Sequence, residues 1–187
     1  NSDESSSNLL EHVSSISNIS SDASNLERIN RWSSAIRMFK EKPVFGYGPG
    51  TYMFQYAPYQ LNRDRTIIST NAGDGGNAHS EYLGPLSESG VLGLVTFLII
   101  IITVLYVGIH TYSRLENQRL RGIVLAAIIG LVTYYVHGFL NNFLDTDKLS
   151  VPFWGFTAMI VAADIYSRRE EKAAIEAQKN PASQKPD

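Results

Sequence analysis

Val91-Leu92-Gly93-Leu94-Val95-Thr96-Phe97-Leu98-Ile99-Ile100-Ile101-Ile102-Thr103-Val104-Leu105-Tyr106-Val107 would be apolar on every side of a helix. Such a helix is either sunk in a large core or crosses a membrane. The stretch sits inside Ser89–Ser113, 25 positions without Asp, Glu, Lys or Arg. Two more uncharged runs follow: Gly122–Leu144 with 23 positions and Leu149–Ala163 with 15. A helix needs about 20 apolar residues to cross a hydrocarbon layer of roughly 30 Å. The runs therefore predict three transmembrane helices over about 90–109, 122–141 and 150–166. The third is short and leans on Phe153, Trp154 and Tyr166 as interface anchors. Mean hydropathy over the chain is only −0.09, because the charge is segregated outside these blocks.

The flanking charges orient the crossings. Arg114, Arg119 and Arg121 face a single Glu116 in the first connection, and Arg168, Arg169 and Lys172 follow the third block. Asp145 and Asp147 dominate the second connection. Positive residues mark the cytoplasmic side. The expected layout has residues 1–88 outside, three helices over 89–167, and a cytoplasmic tail over 168–187. The chain opens at Asn1 with neither Met nor signal peptide, so it is expected to be the C-terminal part of a longer membrane protein.

Composition removes several chemistries. With no cysteine among 187 residues, thiolate metal sites and cysteine nucleophiles are excluded. A net charge of −2 lacks the basic surface that nucleic acid requires, so no nucleic-acid partner is expected. No H-E-x-x-H or similar pattern occurs, and no metal or other cofactor is expected. Asp145-Thr146-Asp147 reads as an outer turn beside Lys148.

Residues 1–24 are Ser- and Asn-rich, a composition that cannot offset chain entropy by burial, and are expected to be a flexible segment. A helix is predicted from Ser24, where Ser24-Asn25-Leu26-Glu27 has the capping-box spacing. Leu26, Ile29, Trp32, Ile36 and Phe39 form its apolar stripe, and Pro43 ends it. Arg28 borders that stripe on the ridge with Trp32, Ala35 and Phe39; Arg31 lies toward the polar side. An arginine there needs an anionic partner, either a structural carboxylate or a bound anion. Tyr52, Phe54, Tyr56 and Tyr59 suit sugar rings or the membrane interface. In Asp74-Gly75-Gly76-Asn77-Ala78-His79-Ser80, Asn77 is placed to cap a new helix with His79 in its first turn. A helix N-terminus favours neutral imidazole, which fits a general base as well as an ordinary surface or capping histidine. His137, Asn141 and Asn142 at the outer end of the second crossing suit a polar cavity.

These pieces, in order, resemble a known family. Arg28-x-x-x-Trp32, the turn Lys42-Pro43-Val44-Phe45-Gly46-Tyr47-Gly48-Pro49-Gly50, Ala78-His79, Tyr82-Leu83, and Glu88-Ser89-Gly90-Val91-Leu92-Gly93 entering a membrane helix are similar to the O-antigen ligase and O-antigen polymerase superfamily of bacterial membrane glycosyltransferases. Where that family usually has Asn after the histidine, this chain has Ser80. The resemblance implies an all-α integral membrane protein of the bacterial inner membrane, with a large, partly helical periplasmic catalytic loop over 25–88. It implies metal-independent, inverting transfer of a glycan from an undecaprenyl-diphosphate carrier to a hydroxyl. The acceptor is lipid A–core oligosaccharide in ligases and another carrier-linked repeat in polymerases; an anion transporter of the same superfamily is the non-enzymatic alternative. By that match His79 is the general base and Arg28, helped by Arg31, holds the diphosphate. Glu88, by its position, is a supporting residue that orients His79 or binds sugar.

Overall fold

Helices account for the regular structure. The computed structural model describes residues 23–66, 69 and 76–179, and among them there is no strand. The Ser-rich segment therefore lies outside the described residues up to its last two positions, as does Asp74. The elements are α1 (Ala23–Glu41), a short α2 (Tyr52–Gln55), a 3-10 turn (Ala57–Tyr59), α3 (Leu83–Arg114), α4 (Gln118–His137) and α5 (Asp147–Lys179). Helices α3, α4 and α5 are long and apolar enough to cross a membrane. The chain divides into two compact units, one of residues 1–95 with 139–142, the other of 96–138 with 143–187.

The first unit is a lobe built on α1. This helix begins at Ala23, so Ser24 lies within it, and it stops two residues before Pro43. Its inner face differs from the predicted one. Leu26, Ile29 and Ile36 are 37%, 49% and 40% exposed, while Glu27, Asn30, Ser34, Ala35 and Met38 are buried. The helix is turned by about one residue, roughly 100°, from the apolar stripe. Polar groups can be buried where they find partners, and here most do, Asn30 Oδ1 being an exception. Asn30 Nδ2 donates to Gln60 Oε1 at 2.8 Å, and Ser34 Oγ donates to the Asn30 carbonyl at 2.9 Å. Arg37 donates to Asp64 Oδ2 at 2.7 Å and also to the Tyr59 carbonyl. Tyr52 and Tyr56, read as interface aromatics, instead fill the core with Ala35, Met38 and Ala78. Of that aromatic set only Phe54 is strongly exposed.

In the second unit apolar side chains face outward and a thin apolar seam lies inside. Val124, Ala127, Leu131 and Tyr135 form the buried stripe of α4, at helical spacing. Phe153 packs edge-on against Tyr134 and Tyr135, at 5.3 and 5.9 Å between ring centroids. Asn117 caps α4 by accepting from Arg119 and Leu120 N–H, leaving the cap outside the apolar stretch. One polar cluster interrupts the seam: Asp164 accepts from Thr111 Oγ1 at 3.1 Å, from Arg168 Nε at 2.8 Å and from Arg114. Helix α4 ends at His137, earlier than predicted, and α5 continues past Tyr166 to Lys179. The charged stretch after Arg168 has good helix formers, which carry the helix past the apolar block.

Candidate functional site

Arg31 is the hub of the lobe. Its Nε donates to Glu27 Oε1 at 2.9 Å, one helical turn back, a spacing at which side chains meet. Its NH1 donates to the Asn77 carbonyl at 3.2 Å. Its guanidinium lies 5.5 Å from the centroid of the Tyr56 ring, within cation–π range. Tyr56 stacks on Tyr52 at 5.1 Å, and the Tyr52 hydroxyl donates to the Arg31 carbonyl at 2.8 Å. A Cβ at Gly76 would come within 2.9 Å of both Arg31 NH1 and the Tyr56 ring. The glycine thus lets the loop approach the guanidinium. The arginine on the polar side thus has a side chain only 11% exposed.

Glu27 is the residue the sequence reading missed. Spacing suggested half of a capping box, but its carboxylate is buried and accepts from Thr66 Oγ1 at 3.0 Å and from Ser69 Oγ. Burial pushes its pKa up; hydrogen bonds from Ser69, Arg31, Thr66 and Asn30 outweigh this and hold it below the ordinary carboxylate value. It is therefore a fixed anion at neutral pH, balancing Arg31. The i, i+4 spacing of Glu27 and Arg31 was the available signal.

His79 is held by its backbone. It precedes α3 and lies outside the helix, with φ +47°, a left-handed conformation uncommon for non-glycine residues and often found at functional sites. Asn77 Oδ1 accepts from the His79 N–H at 3.1 Å, closing an Asx turn. Trp32 Nε1 donates to the His79 carbonyl at 3.2 Å. The helix cap is Ser80, whose Oγ accepts from Tyr82 and Leu83 N–H at 3.3 Å each. Asn77 fails as the cap because its side chain already serves the turn at His79. The half-buried imidazole has its pKa lowered from 6.5, by burial first and then by the charges of Arg31 and Arg28, against an opposing pull from Glu27. Arg28, Arg31 and His79 thus share one electrostatic neighbourhood. Arg28 donates NH1 to Asn25 Oδ1 at 2.9 Å and has other N–H groups to offer.

Glu88 serves the glycine turn. Its carboxylate accepts from Gly50 N–H and Tyr52 N–H, both at 2.9 Å. The turn is also bonded to the backbone around it: Gly48 N–H donates to the Glu88 carbonyl at 2.7 Å, and Val91 N–H to the Pro43 carbonyl at 2.8 Å. Gly46 has φ +62° and Gly90 φ +66°. A Cβ on Gly46 would overlap the Glu88 carbonyl, and one on Gly90 would overlap the Val44 carbonyl. The two motif glycines are thus halves of one backbone contact. Tyr82 stacks on Phe139 at 4.1 Å, and His137 stacks on Phe143 at 5.7 Å. Asp147 opens α5. Among the described residues no three His, Asp or Glu side chains cluster as a metal site would require.

An uncharacterised protein of Haemophilus influenzae is 24% identical over 133 residues, which is 71% of this chain. The chain spans about a third of that relative, 32% of its length. No solved structure matches. The family described as O-Antigen ligase matches residues 4–98, a stretch that contains Arg28, Arg31, His79, Glu88 and the glycine turn. With that match and its three long apolar helices, the chain is a multi-pass membrane protein that belongs to the O-antigen ligase family.

Proposed function

We propose that this chain carries the catalytic lobe of a glycosyltransferase that moves a glycan from an undecaprenyl-diphosphate carrier to a hydroxyl acceptor. The lobe lies on the periplasmic side of the inner membrane, and the C-terminus is cytoplasmic, as the arginine distribution favours. The observation that carries the reading is the pairing of a half-buried His79, biased to the neutral form by burial and then by Arg31 and Arg28, with a backbone fixed through Trp32 and Asn77.

Neutral imidazole accepts the proton of the acceptor hydroxyl as its oxygen attacks the anomeric carbon. The bond from that carbon to the diphosphate oxygen breaks, and the leaving group departs with the electron pair. A single displacement of this kind inverts the carbon. Arg28 meets the departing diphosphate, because a guanidinium remains charged and pairs with phosphate through two parallel N–H groups. Preorganised cations lower the cost of charge growing on a leaving group. Arg31 is engaged by Glu27, Asn77 and Tyr56, so its part is to hold the His79 loop and add positive field. Glu88 shapes the turn and meets no substrate in this scheme.

The test is reconstitution of the full-length protein with an undecaprenyl-diphosphate glycan and two rival acceptors, lipid A–core oligosaccharide and a second carrier-linked glycan. Product mass separates ligation from polymerisation. His79→Ala is expected to insert normally and lose transfer by roughly 10²-fold or more, the scale of general-base catalysis. Unimpaired transfer by that variant removes His79 as the base. Anion flux without product in the unaltered protein moves the assignment to a transporter.

A further inference from the structure

Two bulky apolar side chains stand exposed at the point where the chain enters its first span. Phe45 is 75% exposed and Val44 48%. Both belong to the turn whose Pro43 carbonyl accepts from Val91 N–H at 2.8 Å. Val91 follows the break at Gly90 (φ 66°, ψ −159°), where α3 changes direction. From Val91 to Arg114 the helix runs roughly 36 Å at about 1.5 Å per residue, close to the roughly 30 Å of hydrocarbon plus a little headgroup. The break therefore lies at a bilayer surface, and a hydrogen bond to Val91 fixes the turn at that depth.

We propose that Val44 and Phe45 enter the membrane surface as a wedge beside the first turn of the span. The occupant of this apolar patch is taken to be lipid, because the turn is bonded to the first turn of the span, where Val91, Leu92 and Val95 are also exposed. The neighbouring charges suit that depth. Lys40 is exposed on the last turn of α1, and Lys42 lies 4.2 Å from the Tyr47 ring centroid. Lysines flanking an exposed Phe in the chain combine headgroup attraction with acyl-chain contact. The wedge is a membrane contact in its own right and does not depend on the transfer chemistry.

The chain has no cysteine, which allows a direct depth measurement. Phe45→Cys carries a nitroxide in the full-length protein, cleared of any other cysteine, in phosphatidylethanolamine–phosphatidylglycerol vesicles. Arg63, whose side chain is 80% exposed, supplies the aqueous reference as Arg63→Cys. Ile102, 65% exposed on the span, supplies the lipid reference as Ile102→Cys. The ratio of oxygen to nickel-chelate collisions at position 45 is expected to lie between the two references, several-fold above that at 63. Val44→Cys carries the same expectation and serves if Phe45→Cys fails to insert. A ratio equal to that at 63 overturns the proposal. So does shielding from both reagents, which would place protein and not lipid over the turn.

Discussion

The lobe and the span solve the burial problem in opposite ways. In the lobe, buried positions include Glu27, Asn30, Ser34, Gln60, Ser80, Glu81 and Ser87, and Leu26, Ile29 and Phe45 are among the exposed ones. In the span, the buried seam is Val124, Ala127, Leu131 and Ile160, and the outside is also apolar, with Ile99, Ile102 and Val136 above 50% exposure. The lobe is thus specified by hydrogen-bond partners and glycine contacts, and the span by size and shape in a solvent as apolar as its own core. Specificity from polar pairing is rigid, because a misplaced buried group loses its partner and its water together. That rigidity suits a site that must keep His79 in a left-handed conformation.

The sharpest break of the comparison is Gly90→Ala. The new methyl meets backbone of the glycine turn, which cannot rotate away, and φ +66° is itself strained for a side chain. A loss of about 3 kcal/mol or more in lobe stability is expected, summing left-handed strain and overpacking. Thermal unfolding in detergent, followed by proteolysis within residues 43–50, measures it. Span extraction and oligomer size should be unchanged. An unaltered melting temperature would mean that the turn is not locked to α3.

Next come two paired carboxylates, Glu27 buried in the lobe and Asp164 partly exposed in the span. Glu27→Gln leaves Arg31 charged with its counter-ion gone, in a place where the two side chains are 11% and 4% exposed. Breaking a buried pair costs about 3 kcal/mol. Asp164→Asn should cost less, about 1 kcal/mol, since its partners Arg114 and Arg168 are 30% and 58% exposed and reach water. Equal losses in urea titrations of the two variants would erase the contrast between the regions.

The sequence showed the span far better than the lobe, for a physical reason. An uncharged run of 25 residues has few fates, so α3 was legible from composition. The inner face of α1 was not. Counting apolar residues selected Leu26 and Ile29, while the actual face depends on Gln60, Thr66 and Ser69 arriving from a distant part of the chain. The contact of Gly46 with Glu88 and of Gly90 with Val44 was hidden for the same reason: each glycine reads locally as a turn. Of the site, the residue types were visible in the motifs, but the depth of Arg31 and the anion beneath it were not. Tyr52 and Tyr56 were misplaced because an aromatic with a polar tip suits an interface and a hydrogen-bonded core equally.

A pH profile tests the electrostatics of the lobe with a smaller effect. The His79 pKa in the folded protein lies below 6.5. Between that pKa and 6.5 the unfolded chain binds the proton and the folded one does not, so stability falls as pH drops through this window. In the scheme proposed above the base is active when neutral, so the transfer rate should hold to below pH 6.5 and then decline. Arg31→Gln removes one of the charges that depress His79 and shifts the acid limb upward. Glu27→Gln removes the opposing charge and shifts the residual activity's limb downward. Shifts in the same direction would show that Arg31 and Glu27 act on structure alone.

Gly130→Ala should change least, and its smallness is informative. Its Cβ would lie 2.9 Å from the Phe156 ring, so the contact is as tight as that at Gly76. The obstacle, however, is the edge of a side chain with χ freedom and not a backbone carbonyl. Alanine in a helix interior gains about 1 kcal/mol over glycine, and moving the ring by a few tenths of an ångström costs a similar amount at the low end of overpacking. The two nearly cancel, so the net change should stay within about 1 kcal/mol. Gly108→Ala, facing the ends of Ile128 and Ile160 at 3.0–3.4 Å, should behave alike. Melting temperatures within a few degrees of the unaltered protein are expected for both. A collapse at Gly130 comparable to that at Gly90 would mean that the seam is held by backbone proximity after all, and that the lobe and the span share one mode of packing.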